Sequence, residues 1–132
     1  MKRTVLVAAL GMGLAAGPAL AHHSGAMFDR NKEVVLTGTL KEIQWVSPHA
    51  WIQILVPAAD GKPQEWSIEM GGGPAGFPRL GITRSYPKVG DKISIVAHPL
   101  RDGRPGGSFM GITLPDGRTM GQTGAAAPNA PR

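Results

Sequence analysis

The chain has 132 residues, no Cys, a formal charge of +5 and an isoelectric point near 10.1. Without thiols it can hold no disulfide, no thiolate metal site and no lipid attached through Cys, so burial of apolar surface must hold its fold together. Its basic residues are scattered from Arg30 and Lys41 through Arg84 to Arg118, which argues against an electrostatic track for nucleic acid.

The first element is a leader. Met1-Lys2-Arg3 is basic, residues 5–16 are nearly all Val, Leu, Ala, Met and Gly, and Ala19-Leu20-Ala21 has the small-x-small form that a signal peptidase recognises. We expect a signal peptide over residues 1–21 and a mature chain that starts at His22 in the periplasm or outside the cell. As a helix the apolar run would cover about 18 Å against about 30 Å of hydrocarbon, so no stable membrane anchor is expected after cleavage. Losing Lys2 and Arg3 lowers the charge from +5 to +3, because all 9 acidic residues follow the leader.

What remains is punctuated by turn residues: the chain contains 19 Gly and 12 Pro, and they separate short β-branched and aromatic runs. A first strand is expected over residues 33–46; its apolar parity changes beyond Leu40, which predicts a bulge or bend at Gly38 or its neighbours. After Ser47-Pro48 a second strand, 49–56, places Ala50, Ile52, Ile54 and Val56 on one face and His49, Trp51 and Gln53 on the other. Asp60-Gly61 then turns the chain into a third strand, 65–70, where Trp66, Ile68 and Met70 alternate with Glu65, Ser67 and Glu69.

Keeping both apolar sets on the same face predicts a hairpin with Gln53 opposite Ser67 and Trp51 opposite Glu69. That register puts His49 diagonal to Glu69 on the outward face, within reach of long side chains or a bound ion. Residues 71–89, rich in Gly and Pro, form an excursion with room for one short helical turn. A fourth strand follows at 92–98, with Ile93, Ile95 and Ala97 inward, then a fifth at 109–114 and a short edge at 118–120. The Gly- and Ala-rich tail, 121–132, is expected to be disordered. The mature residues 22–120 thus predict a five- to six-stranded Greek-key barrel of the oligonucleotide/oligosaccharide-binding (OB) type, with a β-sandwich as the alternative.

Several motifs stand in a specific order: His22-His23-Ser24, Phe28-Asp29, Leu36-Thr37-Gly38-Thr39, Trp45-Val46-Ser47-Pro48-His49-Ala50-Trp51, Trp66 with Glu69, and Leu114-Pro115-Asp116-Gly117-Arg118. In this order the chain resembles DUF6152, a family of short exported bacterial proteins of unknown function. The resemblance implies export and a compact β-fold, and it brings no activity. The family pattern has Asn where this chain has Ser47, and a more helical segment where this chain has residues 73–78.

The four His residues carry the chemical signal. Cleavage after Ala21 would give His22 a free α-amine beside its own imidazole, a pair that chelates Cu(II), Ni(II) or Zn(II). His23, His49 or His98, with Glu69 or a thioether such as Met27, would complete a metal site, with copper the expected ion. The plainer alternative makes His22 and His23 a solvated end, His49 and His98 surface hydrogen-bonding groups, and Glu69 part of a solvated strand face. Trp51, outward beside His49, is either a platform for a glycan, peptide or exported protein partner, or a side chain covered by the excursion, and we expect cover. With no Ser-His-Asp order, paired carboxylates or phosphate loop, no catalytic residue is expected.

Overall fold

The structure, a computed structural model, describes residues 24–122. The expected signal peptide, His22, His23 and residues 123–132 lie outside the described residues. Six strands form, β1 (Val34–Gln44), β2 (Ala50–Pro57), β3 (Pro63–Met70), β4 (Lys92–Pro99), β5 (Gly106–Thr113) and β6 (Thr119–Gly121), in the order β3-β2-β1-β4-β5-β6. An additional parallel pairing joins β3 to β5, with Ser67 opposite Gly106 and Glu69 opposite Ser108. The circuit β1-β2-β3-β5-β4 therefore closes into one five-stranded Greek-key barrel of the OB type, with β6 as a hairpin extension. A sandwich, which needs two separate sheets, is excluded by that closure.

The long first strand makes closure possible by serving two neighbours. Val34 to Thr39 pair with β4, and Thr39 to Gln44 pair with β2. The expected irregularity lies between Leu40 and Glu42, so Lys41 is the extra residue of a bulge. Gly38 serves a different purpose. A Cβ there would collide with the Leu55 carbonyl oxygen, so only glycine lets β1 pass this close to β2.

The hairpin of β2 and β3 has the expected register, with Trp51 opposite Glu69 and Gln53 opposite Ser67. Its inward side chains Ile52, Ile54 and Ile68 are fully buried and meet Leu36, Leu40, Ile93, Ile95 and Ile112 from the other strands. Each such side chain contributes about 1.5–3 kcal/mol of apolar burial, the dominant favourable term in a chain without disulfides. Between β3 and β4, the 3₁₀ segment Pro74–Leu80 turns Phe77 into this core, where it is fully buried.

Three of the turns are one motif. Asp60, Asp102 and Asp116 each accept the backbone N–H two residues on, from Lys62, Arg104 and Arg118, at 3.0 Å in every case. The intervening Gly61, Gly103 and Gly117 have φ of 77°, 79° and 86°, the left-handed region that glycine enters at no steric cost. The folded chain runs slightly beyond the expected boundary at Met120: β6 includes Gly121, and the Gln122 N–H donates to the Met110 carbonyl. No helix among the described residues is long and apolar enough to cross a membrane.

Candidate functional site

The outward face of β2 and β3 holds the polar residues that alternate with the core. Two of them are buried, Gln53 and Glu69, at 8% and 5% exposure. A buried carboxylate on the side of a sheet that alternation assigns to solvent is the most informative feature of this molecule. It corrects the expectation of a solvated strand face for Glu69. The physical reason is closure: β5 pairs along β3 at residues 67–69, so a strand flanks Glu69 on each side.

The carboxylate has a partner. His49, just before β2, brings Nδ1 to 2.5 Å from Glu69 Oε1, with the two side chains 34% and 7% exposed. Nδ1 is itself buried and has no aligned hydrogen bond, so the short separation is an oblique approach of ring nitrogen to carboxylate. Strand register sets the position of the two groups. Since Nδ1 is shut away, the exposed part of His49 is the rest of the side chain.

Trp51, the cross-strand neighbour of Glu69, and Ser67 line a cleft of about 380 Å³ together with Met27, Phe28, Leu100 and Gly106. Its walls come from the turn between β4 and β5 and from the start of the described chain. The 3₁₀ turn Ser24–Met27 is pinned there by backbone bonds. The Arg101 N–H donates to the Met27 carbonyl at 2.9 Å, the Asp29 N–H donates to the Pro99 carbonyl at 2.8 Å, and Phe28 bridges to Leu100. The Arg101 side chain adds a bond from Nε to the Ala26 carbonyl at 3.2 Å.

Arg104 also borders the cleft, with its charge compensated within its own turn. Its Nε lies 2.8 Å from Asp102 Oδ2. The Arg104 backbone N–H, and then its guanidinium, hold the Asp102 carboxyl below the usual carboxylate range.

His98 stands elsewhere on the surface. It lies opposite Ser108, which is opposite Glu69, so β5 separates it from the pair by about 10 Å of backbone. Its Nδ1 is 2.8 Å from the Lys32 carbonyl, an acceptor only, so Nδ1 carries the proton in that bond. Of the proposed ligands, the structure brings His49 and Glu69 together and leaves His98 apart. Among the described residues no three His, Asp or Glu side chains converge on one point.

Trp51 is half-buried against this cleft, and the excursion lies over Trp45 instead. Sequence reasoning overlooked one contributor to the cleft, the pair Gly106-Gly107. A Cβ on Gly107 would stand 2.8 Å from the His98 carbonyl oxygen, and one on Gly106 would stand 2.8 Å from Leu100 Cδ1. Two adjacent glycines just ahead of a strand read locally as a turn, yet here they are the strand that closes the barrel.

Residues 11–109 match the family of unknown function DUF6152. The chain belongs to DUF6152. A crystal structure of the mitochondrial single-stranded DNA binding protein Rim1 from S. cerevisiae is similar at 15% identity, with a TM-score of 0.48 over 63% of this chain and 92% of that one. At that level the likeness carries no argument, and the barrel assignment rests on the strand pairing described above. No curated protein matches this DUF6152 chain.

Proposed function

We propose that this DUF6152 protein is an exported, non-enzymatic binding or carrier protein for a transition-metal ion such as Cu(II). In this reading the leader is removed after Ala21, and His22 at the new N-terminus, with His23, joins His49 around the ion. The observation that carries it is the buried Glu69 carboxylate held against His49 Nδ1. A carboxylate on one ring nitrogen orients an imidazole and raises its basicity, leaving the other nitrogen for a metal. Glu69 is then the group that positions the ligand.

Chain continuity supports the same reading. Met27 is anchored at the cleft beside Trp51, and only His23 stands between His22 and the 3₁₀ turn Ser24–Met27 that leads to it, so His22 is tethered to this side of the barrel. His98, two strands away from Glu69 and with Nδ1 engaged by the Lys32 carbonyl, is left out of this set.

The test is a Cu(II) titration of the secreted protein, after mass spectrometry has established its first residue. We expect one equivalent bound, with affinity lost on His49→Ala and on addition of one residue before His22. An N-terminus at another position, or binding indifferent to both changes, would overturn the proposal.

The cleft favours a second reading, in which the face around Trp51 receives a glycan, a peptide or an exported protein. Binding of that kind would ignore chelators and be lost in Trp51→Ala.

A further inference from the structure

We infer that the cleft between β1 and the excursion is a second ligand site, and that it takes a small organic anion, a carboxylate carried on an apolar body. Its lining is largely apolar. Leu40 and Pro87 are buried there, Ile43 and Trp45 are half-buried, and Val89 lines the same cleft while 72% exposed. At about 420 Å³ the cleft falls within the range of small-molecule sites, which are mostly apolar with a few placed polar groups. It shares no residue with the proposed metal set, so either proposal can fail without the other.

The backbone that shapes the cleft is stitched to the barrel. The Leu40 N–H donates to the Asp91 carbonyl at 2.9 Å and the Gly90 N–H to the Leu40 carbonyl at 2.8 Å, so the turn that ends the excursion is strapped to β1. Within the excursion the Lys88 N–H donates to Asp91 Oδ2 at 2.9 Å, and Thr83 and Tyr86 exchange backbone bonds of 2.6 and 3.4 Å. A ligand therefore meets walls already in place, and binding has little backbone left to order.

Charge decides the kind of ligand. Arg84, Lys88 and Glu42 line the cleft, two cations against one carboxylate, which leaves an excess of positive charge. Lys32, Lys41, Arg101, Arg104 and Arg118 each have a carboxylate partner, whereas among the described residues Arg84 and Lys88 take part in no ion pair. Arg84 is nonetheless placed. Its Cζ lies 4.8 Å from the centre of the Trp45 ring, and the fully buried Phe77 meets that ring edge-on. The indole orients the guanidinium without neutralising it, and the fork of N–H donors matches a carboxylate. An inorganic anion would gain from the charge and nothing from the apolar walls, and a neutral apolar molecule would gain only the reverse.

The test is an NMR titration of the secreted protein with benzoate, with benzyl alcohol and inorganic phosphate as comparison probes. It is followed at the indole N–H signals of the 3 Trp residues, each assigned by its loss in a Trp→Phe variant. We expect benzoate to move the Trp45 signal, to leave that of Trp51 in place, and to bind at least about fivefold more tightly than either comparison probe. Arg84→Gln should weaken benzoate by about tenfold, the low end for a charge-assisted bond, and Lys88→Gln by about threefold. Glu42→Gln should tighten it by about twofold, because the opposing charge is gone. All three side chains are exposed, so the thermal midpoint should stay at the wild-type value.

Benzyl alcohol or phosphate binding as tightly as benzoate would overturn the inference. So would a shift at Trp51 in place of Trp45, indifference to both Arg84→Gln and Lys88→Gln, or no benzoate binding at all.

Discussion

Trp45 and Trp51 flank the same corner of the chain, six residues apart, and both are half-buried, yet they do different things. Trp45 is enclosed: the Phe77 ring meets it edge-on at 4.7 Å and 66°, and Arg84 Cζ lies 4.8 Å from its ring centre. A cleft of about 420 Å³ runs beside it, lined also by Arg84 and Lys88. Trp51 has no stacked aromatic or cationic partner among the described residues, and it borders a cleft and stands across the ladder from the buried carboxylate of Glu69. Residue type and strand position therefore do not fix what a tryptophan does. What decides is which distant segment folds over it, and the excursion goes to Trp45.

The contrast is most exposed to test at its structural end. Phe77→Ala should cost about 3–5 kcal/mol, because a fully buried ring leaves a cavity that its neighbours only partly fill. In a domain of this size that lowers the thermal midpoint by on the order of 15 °C or more, read by circular dichroism. A midpoint within a few degrees of wild type would mean that the excursion does not plug the core.

The two tryptophans can also be set directly against each other. Trp45→Ala should cost about 2 kcal/mol, less than a full core deletion because the ring is half-exposed, and Trp51→Ala should cost less than about 1 kcal/mol. Urea midpoints of the two variants decide it, and equal losses would erase the distinction between them.

A smaller stability effect is expected at the site itself. Glu69→Gln keeps the shape of the side chain and removes its charge from His49, so stability should fall by about 1 kcal/mol. Cu(II) affinity should fall by about tenfold in calorimetric titration, as is usual when the group that orients a ligand is lost.

The smallest effect lies far from both clefts, in an exposed turn. Asp116 accepts the Arg118 backbone N–H and then its guanidinium, with Nε at 2.8 Å from Oδ2, which holds its carboxyl below the ordinary value of 3.8. A folded-state value below the unfolded one stabilises the protein above about pH 4, and that contribution disappears as pH falls through the lowered value. Asp116→Asn should therefore lower the thermal midpoint by about one or two degrees, on the order expected for an exposed turn contact, at neutral pH and not at all at strongly acid pH. A difference that persists in acid would show that the turn owes nothing to the charge.

Much of this molecule is legible along the chain because its signals are local. Ile52, Ile54, Trp66 and Ile68 alternate with polar residues, and a one-residue slip would carry them all to the wrong face, so parity alone selects the register that sets Trp51 opposite Glu69. The site is legible in the same way as far as His49, which the register places beside Glu69. The burial of Glu69 is not legible, because it depends on a strand that joins β3 from more than 35 residues further on.

Residue order alone was enough for the strands, their inward faces, the Asp-Gly turns and the nearness of His49 to Glu69, since each follows from the two-residue period of a strand or from the backbone freedom of glycine. The parallel closure of β3 on β5, the departure of His98 from the pair and the packing of the excursion on Trp45 emerged only in three dimensions. Those depend on contacts between residues distant along the chain. At Gly106 and Gly107 the permitting feature is a missing side chain, which leaves no periodic signal to read.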